Sequence, residues 1–105
     1  QLADLSPKME EVQTYFVSTI NQEMKTLEKN RSLETETIIE NALDQLEELE
    51  DEYTYFVKEL TKNGKQRKLI NAMIKNYQQR LDILENTLKQ IEQITATHSL
   101  KLLGS

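Results

Sequence analysis

Apolar residues between positions 39 and 91 fall into two runs at coiled-coil spacing, separated by Asn63-Gly64. Each run alternates steps of three and four over seven positions, the spacing with which amphipathic helices pack along a shared seam. Because glycine commonly follows a helix C-terminus, the pattern predicts two long helices folded into an antiparallel hairpin. The runs are Ile39, Ala42, Leu46, Leu49, Tyr53, Phe56 and Leu60, then Ile70, Ile74, Tyr77, Leu81, Leu84, Leu88 and Ile91.

A third apolar stripe lies before the hairpin and predicts a shorter first helix. Ser6 is its expected N-cap and Pro7 its first residue, because proline there loses no backbone hydrogen bond. Thr19 and Glu23 stand where a strict heptad requires apolar residues, so we expect this helix to pack least regularly and to be the moving part. The stripe consists of Met9, Val12, Phe16, Ile20, Met24 and Leu27.

These patterns predict one all-α domain over residues 1–105, an antiparallel three-helix bundle with a long coiled-coil-like hairpin of helices 2 and 3. Helix 1 is expected from about 7 to 29, helix 2 from about 33 to 62, and helix 3 from about 66 to 96. Ser32 is the predicted cap of helix 2. The apolar period stops after Ile94, so residues 97–105 are expected to form a frayed tail.

Charge changes sign between the two halves of the hairpin. Residues 34–59 contain ten acidic residues and one basic residue, whereas residues 62–80 contain six basic residues and no acidic one. Folding the chain at Gly64 places residues 47–52 level with residues 75–80. Opposite charges beside the seam therefore favour this antiparallel register.

Composition narrows the classes of protein. Two glycines and one proline are too few for the turns of an all-β or α/β fold, and the absence of cysteine excludes disulfides and thiolate chemistry. The net charge of −5 argues against nucleic-acid binding. No apolar run is long enough to span a membrane. Because the chain starts at Gln1, we expect a processed chain or excised domain, attached to a membrane only through an anchor outside it.

The residues that usually carry chemistry do not form a catalytic, metal or cofactor site in this sequence. His98 is the single histidine and lies in the predicted tail, with no Asp or Glu within four residues on either side. One histidine cannot satisfy a di-iron pattern, and no serine has a histidine and an acid to activate it. The acidic run over residues 47–52 is read as a solvated face. The basic tip formed by Lys62, Lys65, Arg67 and Lys68 fits the C-terminal end of helix 2, with an anionic partner or membrane surface as the alternative. We expect no enzyme, no cofactor and no small-molecule substrate.

Five apolar residues, Tyr15, Val17, Tyr55, Val57 and Ile83, lie off the main seams. Part of this surface is expected to cover the third helix. The remainder can form an exposed patch for a protein partner or for self-association. The candidate interaction surface consists of Tyr15, Val17, Tyr55 and Ile83.

Two segments resemble a known family. They are Leu5-Ser6-Pro7-Lys8-Met9-Glu10-Glu11, and Leu60-Thr61-Lys62-Asn63-Gly64 followed by Leu69 to Glu85, which includes Ala72-Met73-Ile74-Lys75-Asn76-Tyr77-Gln78-Gln79-Arg80. Together they resemble the extracytoplasmic C-terminal part of Bacteroidetes single-pass membrane proteins of the anti-sigma-factor-like kind. The similarity covers roughly residues 3 to 95.

The resemblance implies a periplasmic domain of a membrane-anchored regulator, with a protein-interaction or signal-receiving role. The cytoplasmic segment that would bind a sigma factor has no counterpart in this chain, so no residue here carries that role. The alternative is a freestanding cytoplasmic helical bundle, either of the bacteriocin-immunity type or a coiled-coil adaptor.

Overall fold

The computed structural model describes residues 7–104, which form three helices and contain no strand. These are α1 (Pro7–Lys29), α2 (Glu36–Asn63) and α3 (Arg67–Gly104). The predicted all-α three-helix bundle is confirmed. The bundle is elongated, with extents of 62 × 23 × 18 Å. The predicted cap Ser6 and the terminal Ser105 lie outside the described residues.

The helix α3 is the centre of the bundle. Both α1 and α2 pack against α3, and they contact each other less than either contacts α3. The helix α2 runs antiparallel to α3, whereas α1 runs parallel to α3. All three apolar stripes supply the core, because a stripe on each helix leaves water only when it packs on a neighbour. Fully or almost fully buried are Phe16, Ile20, Leu27, Ile39, Ala42, Leu46, Leu60, Met73, Tyr77, Leu84 and Ile91.

The predicted register of the hairpin is confirmed by contacts between α2 and α3. The guanidinium Nη2 of Arg80 lies 3.4 Å from Oε1 of Glu50. Asn76 reaches the Glu52 carboxylate, with Nδ2 3.1 Å from Oε1. Residues 47–52 thus stand beside residues 75–80, as the charge pattern indicates.

The start of α2 differs from the prediction. Helix 2 was expected to begin near residue 33 with Ser32 as its cap, but it begins at Glu36 after a turn, and its N-cap is Thr35. The Thr35 hydroxyl donates to the Asn30 carbonyl oxygen at 2.9 Å and accepts from the Ser32 N–H at 2.9 Å. This local side-chain pairing holds residues 30–35 as a turn and delays the helix by three residues.

Gly64 ends α2. Its N–H donates to the Leu60 carbonyl oxygen at 3.0 Å, and its φ is 77° with ψ at −167°. Positive φ at this position was expected of a glycine after a helix. The extended ψ places Gly64 in a backbone region that residues with a side chain essentially do not occupy.

The end of α3 also differs from the prediction. Residues 97–105 were expected to fray, but α3 continues without a break to Gly104. Two features favour the continued helix. No glycine or proline interrupts residues 65–103, and Nδ1 of His98 lies 3.2 Å from Oε1 of Glu34 in the α1–α2 turn. None of the described helices is both long enough and apolar enough to cross a membrane.

Candidate functional site

Aromatic side chains from all three helices meet at the middle of the bundle. The Phe16 ring of α1 stacks on the Tyr77 ring of α3 with centroids 5.5 Å apart and planes 3° from parallel. The Tyr77 hydroxyl donates to the Tyr53 hydroxyl of α2 at 2.8 Å. Gln13 of α1 donates to the Tyr77 hydroxyl at 3.4 Å. Tyr77 is therefore the point at which α3 joins both other helices.

Arg80 lies against the same aromatic rings. Its Cζ atom is 5.5 Å from the Tyr77 ring centroid and 6.0 Å from that of Tyr53, within the range of cation–π attraction. The pKa of Tyr53 is raised, chiefly by burial and then by its bond to Tyr77, while the positive charge of Arg80 acts in the opposite direction. Tyr53 therefore remains a neutral hydroxyl group at neutral pH. We name Phe16, Tyr53, Tyr77 and Arg80 the tyrosine cluster.

Asn76 is a fully buried polar residue of α3. Its Nδ2 donates to the Leu49 carbonyl oxygen at 2.8 Å and to the Glu52 carboxylate at 3.1 Å. Within the described residues, its Oδ1 and the Nε of Arg80 are buried without a hydrogen-bond partner. The other polar atoms of Asn76 and of the tyrosine cluster pair with one another, so these residues fix how the helices pack. We therefore assign Asn76 and the tyrosine cluster a structural role.

A second arrangement lies at the opposite end from the α2–α3 turn. Leu33 of the α1–α2 turn is fully exposed, and Leu100, Leu102 and Leu103 of α3 are 69%, 66% and 84% exposed. We name these four residues the terminal leucine patch. The contact of His98 with Glu34 places the turn beside the last two turns of α3, so both parts of the patch lie at one end of the molecule.

The terminal leucine patch adjoins a groove between two helices. This groove has a volume of about 600 Å³ between the start of α2 and the end of α3. Ile38 and Ile94 supply apolar surface within it, and polar residues including Gln90 and Gln93 line it as well.

The residues of the candidate interaction surface occupy separate places. Tyr15, Val17 and Tyr55 are exposed, whereas Ile83 is half-buried and packs against the core. Val17, Tyr55 and Ile83 line three different grooves. Tyr15 is adjacent to the tyrosine cluster, with its ring centroid 5.3 Å from that of Phe16. The structure therefore does not bring these four residues together as one continuous surface.

The charged segments remain at the surface. The acidic residues Glu47, Glu48, Glu50, Asp51 and Glu52 are all exposed, as are the basic residues of the tip around Gly64. Among the described residues, no group of three or more His, Asp and Glu side chains is arranged to hold a metal ion.

Sequence reasoning missed the terminal leucine patch, because it treated residues 97–105 as frayed. The signal was nevertheless present in the sequence. Leu102 lies eleven residues after Ile91, which continues the heptad steps of four, three and four.

No protein-family model, curated protein or solved structure matches this chain.

Proposed function

We propose that this chain is a protein-interaction domain that acts without catalysis, and that the terminal leucine patch is its main contact surface. The single observation that carries the proposal is the exposure of four leucines at one end of the bundle. Large exposed apolar side chains grouped at one end of a molecule mark surfaces that a partner covers.

The position of the patch supports this role. It combines residues of the α1–α2 turn with residues of α3, and α3 packs against both other helices. A partner bound there contacts the helix that organises the whole bundle. Binding therefore favours one packing of α3 over another whenever the two packings offer different surfaces to the partner.

The resemblance to anti-sigma-factor-like proteins extends the proposal to a biological setting. In that setting the chain is the periplasmic, signal-receiving domain of a membrane-anchored regulator. The anchor lies outside this chain, and the bundle receives the signal as a bound protein. The bound signal then shifts the packing of the helices or the oligomeric state of the bundle.

Photo-crosslinking in the native cell tests the interaction. A photoreactive amino acid is placed at Leu103 in the patch and, as a matched control, at Gln79, an exposed residue on the same helix. We expect protein adducts from position 103 and few from position 79. Equal adduct yields from both positions would contradict the proposal.

The membrane setting has its own test. The coding sequence before Gln1 should specify an apolar segment of about 20 residues, and protease added to cells with a permeabilised outer membrane should digest the domain. A chain that fractionates as a freestanding cytoplasmic protein would refute the regulator and favour the alternative of a cytoplasmic bundle.

A further inference from the structure

The last residues of α3 extend past the end of the other two helices. The turn that joins α1 to α2 lies level with His98, since Glu34 contacts that residue. The residues after His98 therefore stand beyond the turn, and three of them are exposed leucines. We call residues 95–104 the α3 tail.

The core-facing side of α3 continues along this tail. From buried Ile91, steps of four, three and four lead through Thr95 and His98 to Leu102. Residues at these steps share one side of a helix. Over the rest of α3 this side is covered by α1 and α2, whereas at Leu102 it is exposed.

The leucines also project on more than one side of the tail. At about 100° per residue, Leu100 and Leu102 point roughly 160° apart, with Leu103 between them. A single helix laid along the tail covers only part of this surface. A suitable partner must therefore offer two contacts, one for each side.

On the basis of the proposed function, we propose that the occupant of the terminal leucine patch is a second copy of this chain. The two α3 tails pair antiparallel around a two-fold axis near Ser99. Along the rest of α3, the helices α1 and α2 cover its core-facing side. In the dimer, the tail of one copy covers this side of the other copy's tail. The second copy's α1–α2 turn supplies the other contact, with its Leu33 against Leu103.

Charge favours a second copy at this end of the molecule. The chain carries a net charge of −5, which opposes self-association as a whole, so a dimer forms best where acidic side chains are absent. Residues 93–105 contain no acidic residue and one basic residue, Lys101, so the two tails meet without opposed carboxylates. The turn of each copy carries Glu34 and Glu36, which contact His98 and Arg31 of their own chain and add negative charge facing the Lys101 of the other copy.

The available area predicts a weak, reversible dimer. Four mostly exposed leucines offer roughly 500 Å² per copy, which gives about 1,000 Å² for the pair, the lower limit of specific interfaces. We therefore expect a dissociation constant on the order of 10–100 μM. Such an equilibrium responds readily to concentration in a membrane and to a competing partner.

Sedimentation equilibrium on the full chain tests this proposal. The protein concentration should run from about 10 μM to 1 mM, because this range spans the expected dissociation constant. We expect the mass to rise from 12.3 kDa towards twice that value. The variant Leu102→Glu/Leu103→Glu should remain monomeric. The control Tyr15→Glu/Tyr55→Glu adds the same charge at exposed residues outside the patch and should dimerise as the native chain does. All four residues are exposed, so circular dichroism should report unchanged helix content.

Cysteine crosslinking identifies the contact. The chain contains no cysteine, so Ser99→Cys and Ser18→Cys each introduce a single thiol. On mild oxidation, the first should form a disulfide-linked dimer at least about tenfold faster than the second, whose residue lies on α1 far from the tail.

Three results would overturn the proposal: a monomer at 1 mM, dimerisation that survives the tail variant, or equal crosslinking at both positions. If the isolated chain stays monomeric while position 103 crosslinks to a different protein or to lipid in cells, the second-copy assignment fails. A different protein in the adduct would leave the proposed interaction function standing.

Discussion

The Nδ2 atom of Asn76 in α3 donates a hydrogen bond of 2.8 Å to the main-chain carbonyl oxygen of Leu49 in α2. This bond joins two helices at a fully buried position of the seam. An isolated polar residue in a helical seam costs stability in any register that leaves it unpaired. Asn76 therefore selects the one alignment of α2 and α3 in which it reaches Leu49.

Replacing Asn76 by aspartate tests this role. The Asn76→Asp change removes the donor and places a carboxyl group beside the Leu49 carbonyl and the Glu52 carboxylate. We expect a loss of about 2–4 kcal/mol in the free energy of unfolding at pH 7. Denaturant unfolding measures the loss. Asn71→Asp, at an exposed position of the same helix, makes the same chemical change and should cost less than about 0.5 kcal/mol. Equal losses in the two variants would contradict the assignment.

The hydroxyl pair of the tyrosine cluster gives a second prediction. Tyr53→Phe removes the partner of the 2.8 Å bond from Tyr77 and should lower the free energy of unfolding by about 1 kcal/mol. Tyr55→Phe is the control, because that ring is exposed and two residues away. If chemical denaturation gives the same midpoint for both variants, the hydroxyl pair contributes nothing measurable.

The surroundings of Glu23 predict that its charged form lowers the stability of the bundle at neutral pH. One of its carboxylate oxygens is buried without a partner among the described residues, and the pKa of Glu23 is raised, first by burial and then by Glu85. A raised folded-state pKa means that this group favours the folded state below its ordinary pKa of 4.5 and opposes it as pH rises through the folded pKa.

Thermal unfolding as a function of pH tests the effect of Glu23. Glu23→Gln should raise the melting temperature at pH 7 and leave it almost unchanged near pH 4. Because the side chain is only partly buried, we expect an effect below about 1 kcal/mol. Glu92→Gln, at an exposed site, corrects for the change in net charge. The prediction is wrong if the two variants follow the same pH dependence.

Gly64 and Gly104 should respond to alanine in different ways. No atom lies within 4 Å of a Cβ added at either position, so crowding does not distinguish them. The φ of 77° and ψ of −167° at Gly64 are unfavourable for any side chain, and Gly64→Ala should cost about 1–3 kcal/mol. Gly104→Ala, at the end of a helix, should change stability by less than about 0.5 kcal/mol. Calorimetric melts of both variants decide the matter, and equal melting temperatures would refute this explanation.

Hydrogen exchange tests the expectation that α1 is the moving part. The helix α1 packs on α3 and has little contact with α2, so its opening breaks one interface, whereas the opening of α3 breaks two. We expect amides of α1 to exchange at least about tenfold faster than those between Met73 and Leu84. Equal protection of the two segments, measured by mass spectrometry, would rule out independent movement of α1.

Much of the fold was predictable because heptad spacing reports which side of each helix leaves water. The charge pattern also gave the register that the Arg80–Glu50 contact confirms. The single heptad run assigned to α3 missed Met73, Asn76 and Thr87, which are buried. A helix that packs against two neighbours buries more of its surface than the single row of residues in one heptad seam. Asn76 and Thr87 are also polar, so a pattern of apolar residues does not include them.

The terminal leucine patch was less predictable than the fold, for two physical reasons. The position of the α1–α2 turn depends on the Thr35 hydroxyl, a local bond that competes with helix formation. The persistence of the α3 tail involves a contact between Glu34 and His98, which are far apart in sequence and meet only in the folded bundle. The exposed leucines of that tail can be recognised as a contact surface only when the tail is known to be a helix.

The helices α1 and α3 pack together although they are far apart in sequence, and this separation affects how the chain folds. The α2–α3 hairpin closes across a three-residue turn, so its contacts form between residues that are near each other in the chain. By contrast, Gln13 reaches Tyr77 over a separation of 64 residues. Closing the longer loop loses more chain entropy, so the hairpin should assemble first and α1 should dock afterwards on a preformed α3. During synthesis, α1 emerges before α2 and α3, so it has no α3 surface to pack on until α3 has been made.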